Sequence, residues 1–184
     1  MLRYRLSRTV VMVGMMGAGK TAVGTALARA IGVDFIDSDA EIEAAANMKV
    51  AEIFDRFGEP FFRRKEAQVL SRLLDGPPCV LSTGGGAFLR PENRALIAER
   101  GLAVWLKVDR ELLWSRVRHK DTRPLLKVSN PRQTLFALLE AREPAYAEAG
   151  LVVSAEPDLS VQDMASKVLK ALLDHPSGCL RKVA

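Results

Sequence analysis

A glycine-rich segment near the start of the chain has the residue types that bind nucleotide phosphates. Residues 14–21, GMMGAGKT, satisfy the pattern G-x-x-x-x-G-K-[ST] between an apolar run and a segment with helical spacing. Glycines let backbone N–H groups turn towards phosphates, and the helix start adds partial positive charge. Lys20 would then bind the β- and γ-phosphates, and Thr21 would place its hydroxyl on Mg²⁺. The predicted nucleotide contacts are Gly17, Ala18, Gly19, Lys20, Thr21 and Ala22.

Two carboxylates lie one residue apart in the segment Asp37-Ser38-Asp39. They follow a short apolar run that predicts a strand, so they lie at the carboxyl edge of the sheet, where open α/β sheets bind ligands. One carboxylate could serve Mg²⁺ and the other an accepting hydroxyl. The alternative is a helix cap, since Asp and Ser favour that position. A single aspartate would satisfy the alternative, so the pair favours a functional role.

Three consecutive glycines form a second candidate contact surface. Gly84, Gly85 and Gly86 follow an apolar run, and glycine lets a ligand approach the backbone closely. A tight turn from strand to helix is the alternative explanation.

The rest of the sequence bears on which kind of P-loop protein this is. A GTPase would carry an Asn-Lys-x-Asp motif, and the sequence has none. Residues 55–58, DRFG, match the D-x-x-G pattern of a GTPase switch. Their apolar neighbours predict that they lie within a helix and not after a strand, which argues against a switch. We therefore favour a kinase, with a nucleotide-binding switch that has no acceptor as the alternative.

The apolar pattern predicts the elements that position these residues. Strands are predicted at 10–13, 33–36, 79–81, 104–108 and 151–153. Helices are predicted from Lys20, over 51–57, from Pro60, from Pro91 to near Gly101, from Glu111 to about Arg118, from Pro131 to about Ala141, and over 160–173. Short apolar strands that alternate with helices predict an α/β fold in three layers, with a five-stranded parallel sheet flanked by helices.

Length and composition bound the protein class. The 184 residues predict a single domain over 1–175, with a candidate lid at about 116–129 and a loose tail over 176–184. A composition of 48% hydrophobic and 27% charged residues is typical of a soluble globular protein, and we expect a cytoplasmic monomer. The net charge of +5 comes without a basic stripe, so we expect small anionic ligands and neither nucleic acid nor membrane as a partner.

Several blocks in one order resemble the shikimate kinase family over nearly the full chain. They are the P-loop, Asp37-Ser38-Asp39, Phe54-x-x-x-Gly58-Glu59-x-x-Phe62-Arg63-x-x-Glu66, Gly84-Gly85-Gly86 and Arg123-Pro124-Leu125-Leu126. The resemblance implies a fold like that of nucleoside monophosphate kinases, with a mobile lid. It also implies transfer of the γ-phosphate of Mg-ATP to the 3-hydroxyl of shikimate, in aromatic amino-acid biosynthesis.

The resemblance also implies roles for single residues. Asp39 matches the carboxylate that holds and deprotonates the accepting hydroxyl, and Asp37 matches an acidic group that acts on Mg²⁺ through water. Arg63 and Arg142 match the two guanidinium groups that clamp the substrate carboxylate. Their substrate-binding companions would be Gly84, Gly85 and Gly86, with Glu66 supporting Arg63.

Two further arginines are matched to the nucleotide. Arg123 matches the lid residue that stabilises charge on the transferred phosphate, and Arg116 matches a residue near adenine. The chain departs from the family at 154–158, SAEPD, which lacks the arginine often found in the adenine loop. A kinase for another small metabolite, such as gluconate, is the nearest alternative, although the Asp-Ser-Asp and Arg-Pro-Leu-Leu blocks disfavour it.

Overall fold

A five-stranded parallel sheet forms the centre of the molecule, as the sequence predicts. The structure is a computed structural model, and it describes residues 3–119 and 128–184. The strands are β1 (Arg3–Leu6), β2 (Thr9–Val13), β3 (Phe35–Asp37), β4 (Val80–Ser82), β5 (Gly101–Lys107), β6 (Leu151–Ser154) and β7 (Leu180–Val183). The order in the large sheet is β3-β4-β2-β5-β6. Because β2 is central, its apolar residues from Val10 to Val13 are at most 1% exposed.

The helices of the described chain alternate with these strands. They are α1 (Lys20–Ile31), α2 (Ser38–Ala46), α3 (Val50–Asp75), α4 (Pro91–Arg100), α5 (Arg110–Val117), α6 (Pro131–Tyr146) and α7 (Val161–Asp174), with a short 3₁₀ turn at Ala87–Leu89. Helix α1 packs against α7 and β4, while α3 packs against α2 and α4. The carboxyl ends of β2, β3 and β4 therefore meet at one edge, because Met12 pairs with Ser82 and Ser82 with Asp37.

Helix α3 is sharply kinked where the sequence predicts a break between two helices. Gly58 has φ 80° and ψ 171°, a conformation that residues with a side chain rarely adopt, and Pro60 follows it. Residues 55–58 lie at the end of the first half, so the prediction that DRFG is helical is confirmed up to the kink. The second half carries Arg63 and Glu66 towards the edge of the sheet.

The carboxyl-terminal tail is ordered, and the prediction of a loose tail over 176–184 was wrong. Strand β7 pairs antiparallel with β1 in a two-stranded ribbon. Leu180 and Cys179 are at most 1% exposed, and the Ser7 N–H donates to the Cys179 carbonyl over 2.8 Å. Burial of these apolar side chains stabilises a strand that is too short to show alternation in the sequence.

Element boundaries otherwise follow the sequence pattern closely. The five sheet strands differ from their predicted ranges by at most three residues at either end. Helix α6 continues to Tyr146, past the predicted end near Ala141, because Pro144 lies in its last turn and removes only one helical hydrogen bond. No helix in residues 3–119 and 128–184 has the length and hydropathy to cross a membrane.

Candidate active site

The P-loop connects β2 to α1 in a conformation that depends on glycine. Gly14, Gly17 and Gly19 have φ values of 139°, 77° and 97°, where a side chain would be strained. Gly19 caps the start of α1, which places Lys20 and Thr21 in the first helical turn. Gly17, Ala18 and Ala22 belong to the same turn around the helix start, so the predicted phosphate contacts form one continuous backbone surface.

Lys20 lies inside the loop that it follows. Its Nζ donates to the Gly14 carbonyl over 2.7 Å and to the Met15 carbonyl over 2.9 Å. The ammonium group is therefore held within the curve of the loop, and its positive charge also lowers the pKa of Asp39. Lys20 and Asp39, which the sequence predicts to face one reaction, are electrostatic neighbours.

Asp37 and Asp39 have different environments. The Asp37 Oδ1 accepts from the N–H groups of Asp39 and Ala40 over 2.9 and 3.2 Å, so Asp37 caps α2. The helix cap that was the alternative explanation for these residues is thus present: Asp37 caps a helix that begins at Ser38. Since the cap uses one carboxylate oxygen, it leaves the second oxygen of Asp37 for a hydrated cation.

Asp39 is a partly buried carboxylate whose ionised form is poorly stabilised. Within the described residues its Oδ1 is buried without a hydrogen-bond partner. Burial is the main cause that raises the pKa of Asp39 from 3.8 to about 6, and the charges of Asp37, Glu66 and Glu43 add to it, while Lys20 opposes it. A carboxylate with this pKa and an unpaired oxygen suits the role of a general base at neutral pH.

The three consecutive glycines face three different predicted substrate contacts. A Cβ on Gly84 would lie 3.0 Å from the Asp39 Oδ1, and one on Gly85 would lie 3.1 Å from the Arg142 Nη1. A Cβ on Gly86 would lie 2.8 Å from the Arg63 Nη1. The absence of three Cβ atoms therefore lets one carboxylate and two guanidinium groups approach the same stretch of backbone.

Arg63 is held in place by two glutamates of its own helix. Its Nη1 donates to the Glu66 Oε1 over 2.8 Å, and its Nε donates to the Glu59 Oε1 over 3.4 Å. Glu66 is only 2% exposed, and desolvation raises its pKa even though Arg63 opposes that rise. These carboxylates raise the pKa of Arg63, against the effect of burial. Glu66 therefore supports Arg63, as the family resemblance implies.

Arg142 reaches the glycines from α6, together with a residue that sequence reasoning left without a role. Tyr146 is fully buried, and its hydroxyl donates to the Gly85 carbonyl over 2.7 Å. The signal that could have found Tyr146 is its position four residues after Arg142, which places both side chains on one face of a helix.

Arg116 lies on the nucleotide side of the site. Its Nη1 approaches the Ala18 carbonyl at 3.5 Å, so the guanidinium borders the P-loop. A cavity of about 320 Å³ opens beside it and is lined by the P-loop, Arg116 and the segment from Ala155 to Met164. Val23, Leu159 and Met164 give this cavity an apolar wall that a base could contact. Arg123 and most of the candidate lid lie outside the described residues.

Comparisons with known proteins agree on one family. A family model described as shikimate kinase matches residues 16–173. Shikimate kinase from Cereibacter sphaeroides is 64% identical over 172 residues, which cover 94% of this chain and 86% of the relative. Shikimate kinase from Ruegeria pomeroyi is 62% identical over 167 residues, which cover 91% of this chain and 86% of the relative.

Solved structures give the same result. Shikimate kinase from Acinetobacter baumannii in complex with shikimate has a TM-score of 0.84 and 39% identity, with coverage of 92% of this chain and 94% of that chain. A gluconokinase from Sinorhizobium meliloti has a TM-score of 0.56 and 21% identity over 91% of this chain and 92% of that chain, a likeness of fold alone.

Proposed function

The chain belongs to the shikimate kinase family, and from that membership we propose which of its residues move phosphate from ATP to shikimate. It is an ATP-dependent kinase that transfers the γ-phosphate of ATP to the 3-hydroxyl of shikimate, a step in aromatic amino-acid biosynthesis. The observation that carries the residue assignments is the approach of Asp39, Arg142 and Arg63 to three successive glycines.

The P-loop holds the nucleotide in this proposal. Backbone N–H groups from Gly17 to Ala22 and the Lys20 ammonium group bind the phosphates. Arg116 and the apolar cavity beside it receive the base, which is supported by the contact between Arg116 and Ala18. Arg123 contacts the transferred phosphate from the lid.

The glycines and arginines hold the acceptor. Shikimate carries one carboxylate, and the planar fork of an arginine matches a carboxylate better than lysine does. Arg63 and Arg142 bind that carboxylate, while Gly84, Gly85 and Gly86 give the ring close access to the backbone. Asp39 then faces a ring hydroxyl on the side of Lys20. This placement is supported by the charge of Lys20, which lowers the pKa of Asp39.

The chemical step is an in-line displacement. The hydroxyl oxygen forms a bond to the γ-phosphorus, the bond from that phosphorus to the ADP oxygen breaks, and Asp39 accepts the hydroxyl proton. Lys20 neutralises charge on the β- and γ-phosphates throughout the transfer.

We also propose Mg²⁺ as the metal. Thr21 and Asp37, the latter through water, would hold it, since both offer the oxygen ligands that Mg²⁺ prefers. The second oxygen of Asp37, which the α2 cap does not use, is the feature that fits this group. When bound, Mg²⁺ neutralises phosphate charge.

A kinetic comparison of two arginines on α6 tests the acceptor assignment. Arg142→Lys should raise the KM for shikimate about tenfold and leave the KM for ATP unchanged, because lysine loses the bidentate contact. Arg132→Lys is the matched control, since Arg132 is exposed and pairs with Glu111. ADP release would be measured with and without shikimate. An unchanged shikimate KM in Arg142→Lys would remove Arg142 from the site.

We propose in addition that the enzyme acts as a cytoplasmic monomer. The assignment of every site residue to one chain supports this proposal. Light scattering at micromolar concentration should give a mass near 20.2 kDa, and a stable dimer mass would contradict this.

A further inference from the structure

Tyr146 is a buried polar side chain for which the proposed mechanism has no use. It ends α6, is fully buried, and packs its ring 5.9 Å from the ring of Trp105 on β5. Its hydroxyl also lies 4.0 Å from the Met15 sulfur of the P-loop. A phenylalanine would fill the same space, so packing explains the ring and leaves the hydroxyl to be explained.

Of the three carbonyls of the glycine run, the Tyr146 hydroxyl binds the central one, which accepts no backbone hydrogen bond from the local turn. The Gly84 carbonyl accepts from the Ala87 N–H over 3.2 Å, and the Gly86 carbonyl accepts from the Leu89 N–H over 3.2 Å. The Gly85 carbonyl accepts from Tyr146 over 2.7 Å. Backbone contacts thus fix the outer two peptides, whereas the central one depends on a side chain from α6.

Fixing this carbonyl also fixes a donor. A trans peptide is planar, so the Gly86 N–H points away from the Gly85 carbonyl and hence away from Tyr146. In residues 3–119 and 128–184 the N–H groups of Gly85 and Gly86 donate to no other group. Both are available to a ligand, and the Gly86 N–H is available on the side of its peptide opposite Tyr146.

Arg142 meets the tyrosine at the same glycine. A Cβ on Gly85 would lie 3.1 Å from the Arg142 Nη1 and 3.8 Å from the Tyr146 hydroxyl. The Arg142 charge acts to lower the pKa of Tyr146, but burial outweighs it and the pKa is raised above 10.0. Tyr146 therefore stays protonated at neutral pH, and its proton remains on the bond to Gly85.

We propose that Tyr146 is a positioning residue for recognition of the substrate carboxylate. Its hydroxyl fixes the Gly85 backbone and the adjacent Arg142, so that the backbone donors and the guanidinium address one carboxylate together. This inference rests on the proposed role of Arg142 in binding that carboxylate. Tyr146 acts through these groups and does not touch the reacting atoms.

The test compares two acceptors that differ in the carboxylate. Tyr146→Phe removes the hydroxyl alone, and kcat/KM would be measured for shikimate and for methyl shikimate, whose ester has no negative charge. The variant should lose about tenfold with shikimate, as expected for one lost hydrogen bond to a buried group, and at most about twofold with the ester. The KM for ATP should stay unchanged. Tyr4→Phe is the matched control, since the chain has only two tyrosines.

The outcomes separate the inference from the assignment beneath it. If the wild type uses both acceptors equally well, the proposed carboxylate site is wrong. If the wild type prefers shikimate and Tyr146→Phe loses equally with both acceptors, the hydroxyl has a general structural role and the inference is overturned. An unchanged kcat/KM for shikimate would overturn it as well.

A second measurement leaves the wild-type side chains in place, in case Tyr146→Phe folds poorly. Protein labelled with 3-fluorotyrosine should give two ¹⁹F resonances, one each for Tyr4 and Tyr146. Shikimate should shift the Tyr146 resonance and leave the Tyr4 resonance unmoved, and methyl shikimate should shift Tyr146 less. Equal effects of the two acceptors on Tyr146 would contradict the proposal.

Discussion

Replacing Asp39 with asparagine should stabilise the folded chain at neutral pH while it removes the proposed base. Burial and the charges of Asp37, Glu66 and Glu43 raise the pKa of Asp39 from 3.8 to about 6. The ionised carboxylate is therefore less favourable in the folded chain than in the unfolded chain. Asparagine has nearly the same shape and carries no charge, so it avoids this cost.

The magnitude follows from the difference in pKa. Above pH 6 the carboxylate is ionised in both states, and a rise from 3.8 to about 6 corresponds to about 3 kcal/mol of lost stability. Water reaches part of the side chain and screens its neighbours, so we expect Asp39→Asn to gain about 1–2 kcal/mol. Between pH 3.8 and 6 the folded state keeps a proton that the unfolded state loses. The contribution of Asp39 to wild-type stability therefore falls as pH rises through this window, and the gain from Asp39→Asn is absent below it.

Urea unfolding at pH 7.5 and pH 4.5 measures this gain. We expect the stability difference between Asp39→Asn and the wild type to shrink to less than about half at the lower pH. Asp55→Asn is the matched control, because Asp55 is an exposed aspartate on α3. An Asp39→Asn variant that is no more stable than the wild type at pH 7.5, or a stability gain that is the same at both pH values, would refute the electrostatic argument.

Kinetics complete the experiment on the same variant. Because Asp39 is the proposed base, Asp39→Asn should lower kcat at least about 100-fold and leave the KM for ATP unchanged. In the wild type, kcat/KM for shikimate should fall below an apparent pKa of about 6. Full turnover by the variant would remove Asp39 as the base, whatever its stability.

Two further substitutions test other parts of the structure. Gly86→Ala should raise the KM for shikimate about tenfold, because Gly86 has φ −93° and tolerates alanine while the new Cβ would displace the Arg63 guanidinium. Arg5→Glu should stabilise the chain by about 0.5–1 kcal/mol, because Arg5 lies directly opposite Arg181 in the terminal ribbon and both side chains are exposed. Steady-state kinetics and urea unfolding measure these effects.

Each of these substitutions has a matched control. Gly76→Ala also adds a methyl group at negative φ, −79°, but its nearest neighbours would be the Leu73 and Arg72 carbonyls, so it should leave the KM for shikimate unchanged. Arg3→Glu changes the same charge on the same strand, opposite Val183, and should gain less stability than Arg5→Glu. If Gly86→Ala and Gly76→Ala have equal effects, contact with Arg63 is not the cause. If Arg5→Glu and Arg3→Glu have equal effects, repulsion by Arg181 is not the cause.

Local chemistry made part of the site predictable from the sequence. The P-loop pattern fixes glycine at positions of positive φ and lysine in the first helical turn, so Lys20 and Thr21 could be identified without tertiary information. The paired carboxylates were also visible, but their separate roles were not. Helix α2 packs against α3, and the charge of Glu66 on α3 contributes to the raised pKa of Asp39.

Long-range pairing explains what the sequence pattern missed. Strands β1 and β7 have four residues each and lie at opposite ends of the chain, so alternation within either one is too short to recognise. The charges argue against the pairing as well, since Arg5 faces Arg181. Burial of Cys179 and Leu180 beneath the ribbon is a property of the folded chain.

The glycine run is a motif that the sequence shows directly, whereas the site around it is assembled by packing. Three glycines signal that some group approaches the backbone, and a tight turn was the less favoured alternative explanation. Both are present, because the Gly84 and Gly86 carbonyls close a turn while the missing Cβ atoms admit Asp39, Arg142 and Arg63. These three side chains come from α2, α6 and the second half of α3. Their meeting depends on how three helices pack around one sheet edge, so no local pattern could have specified it.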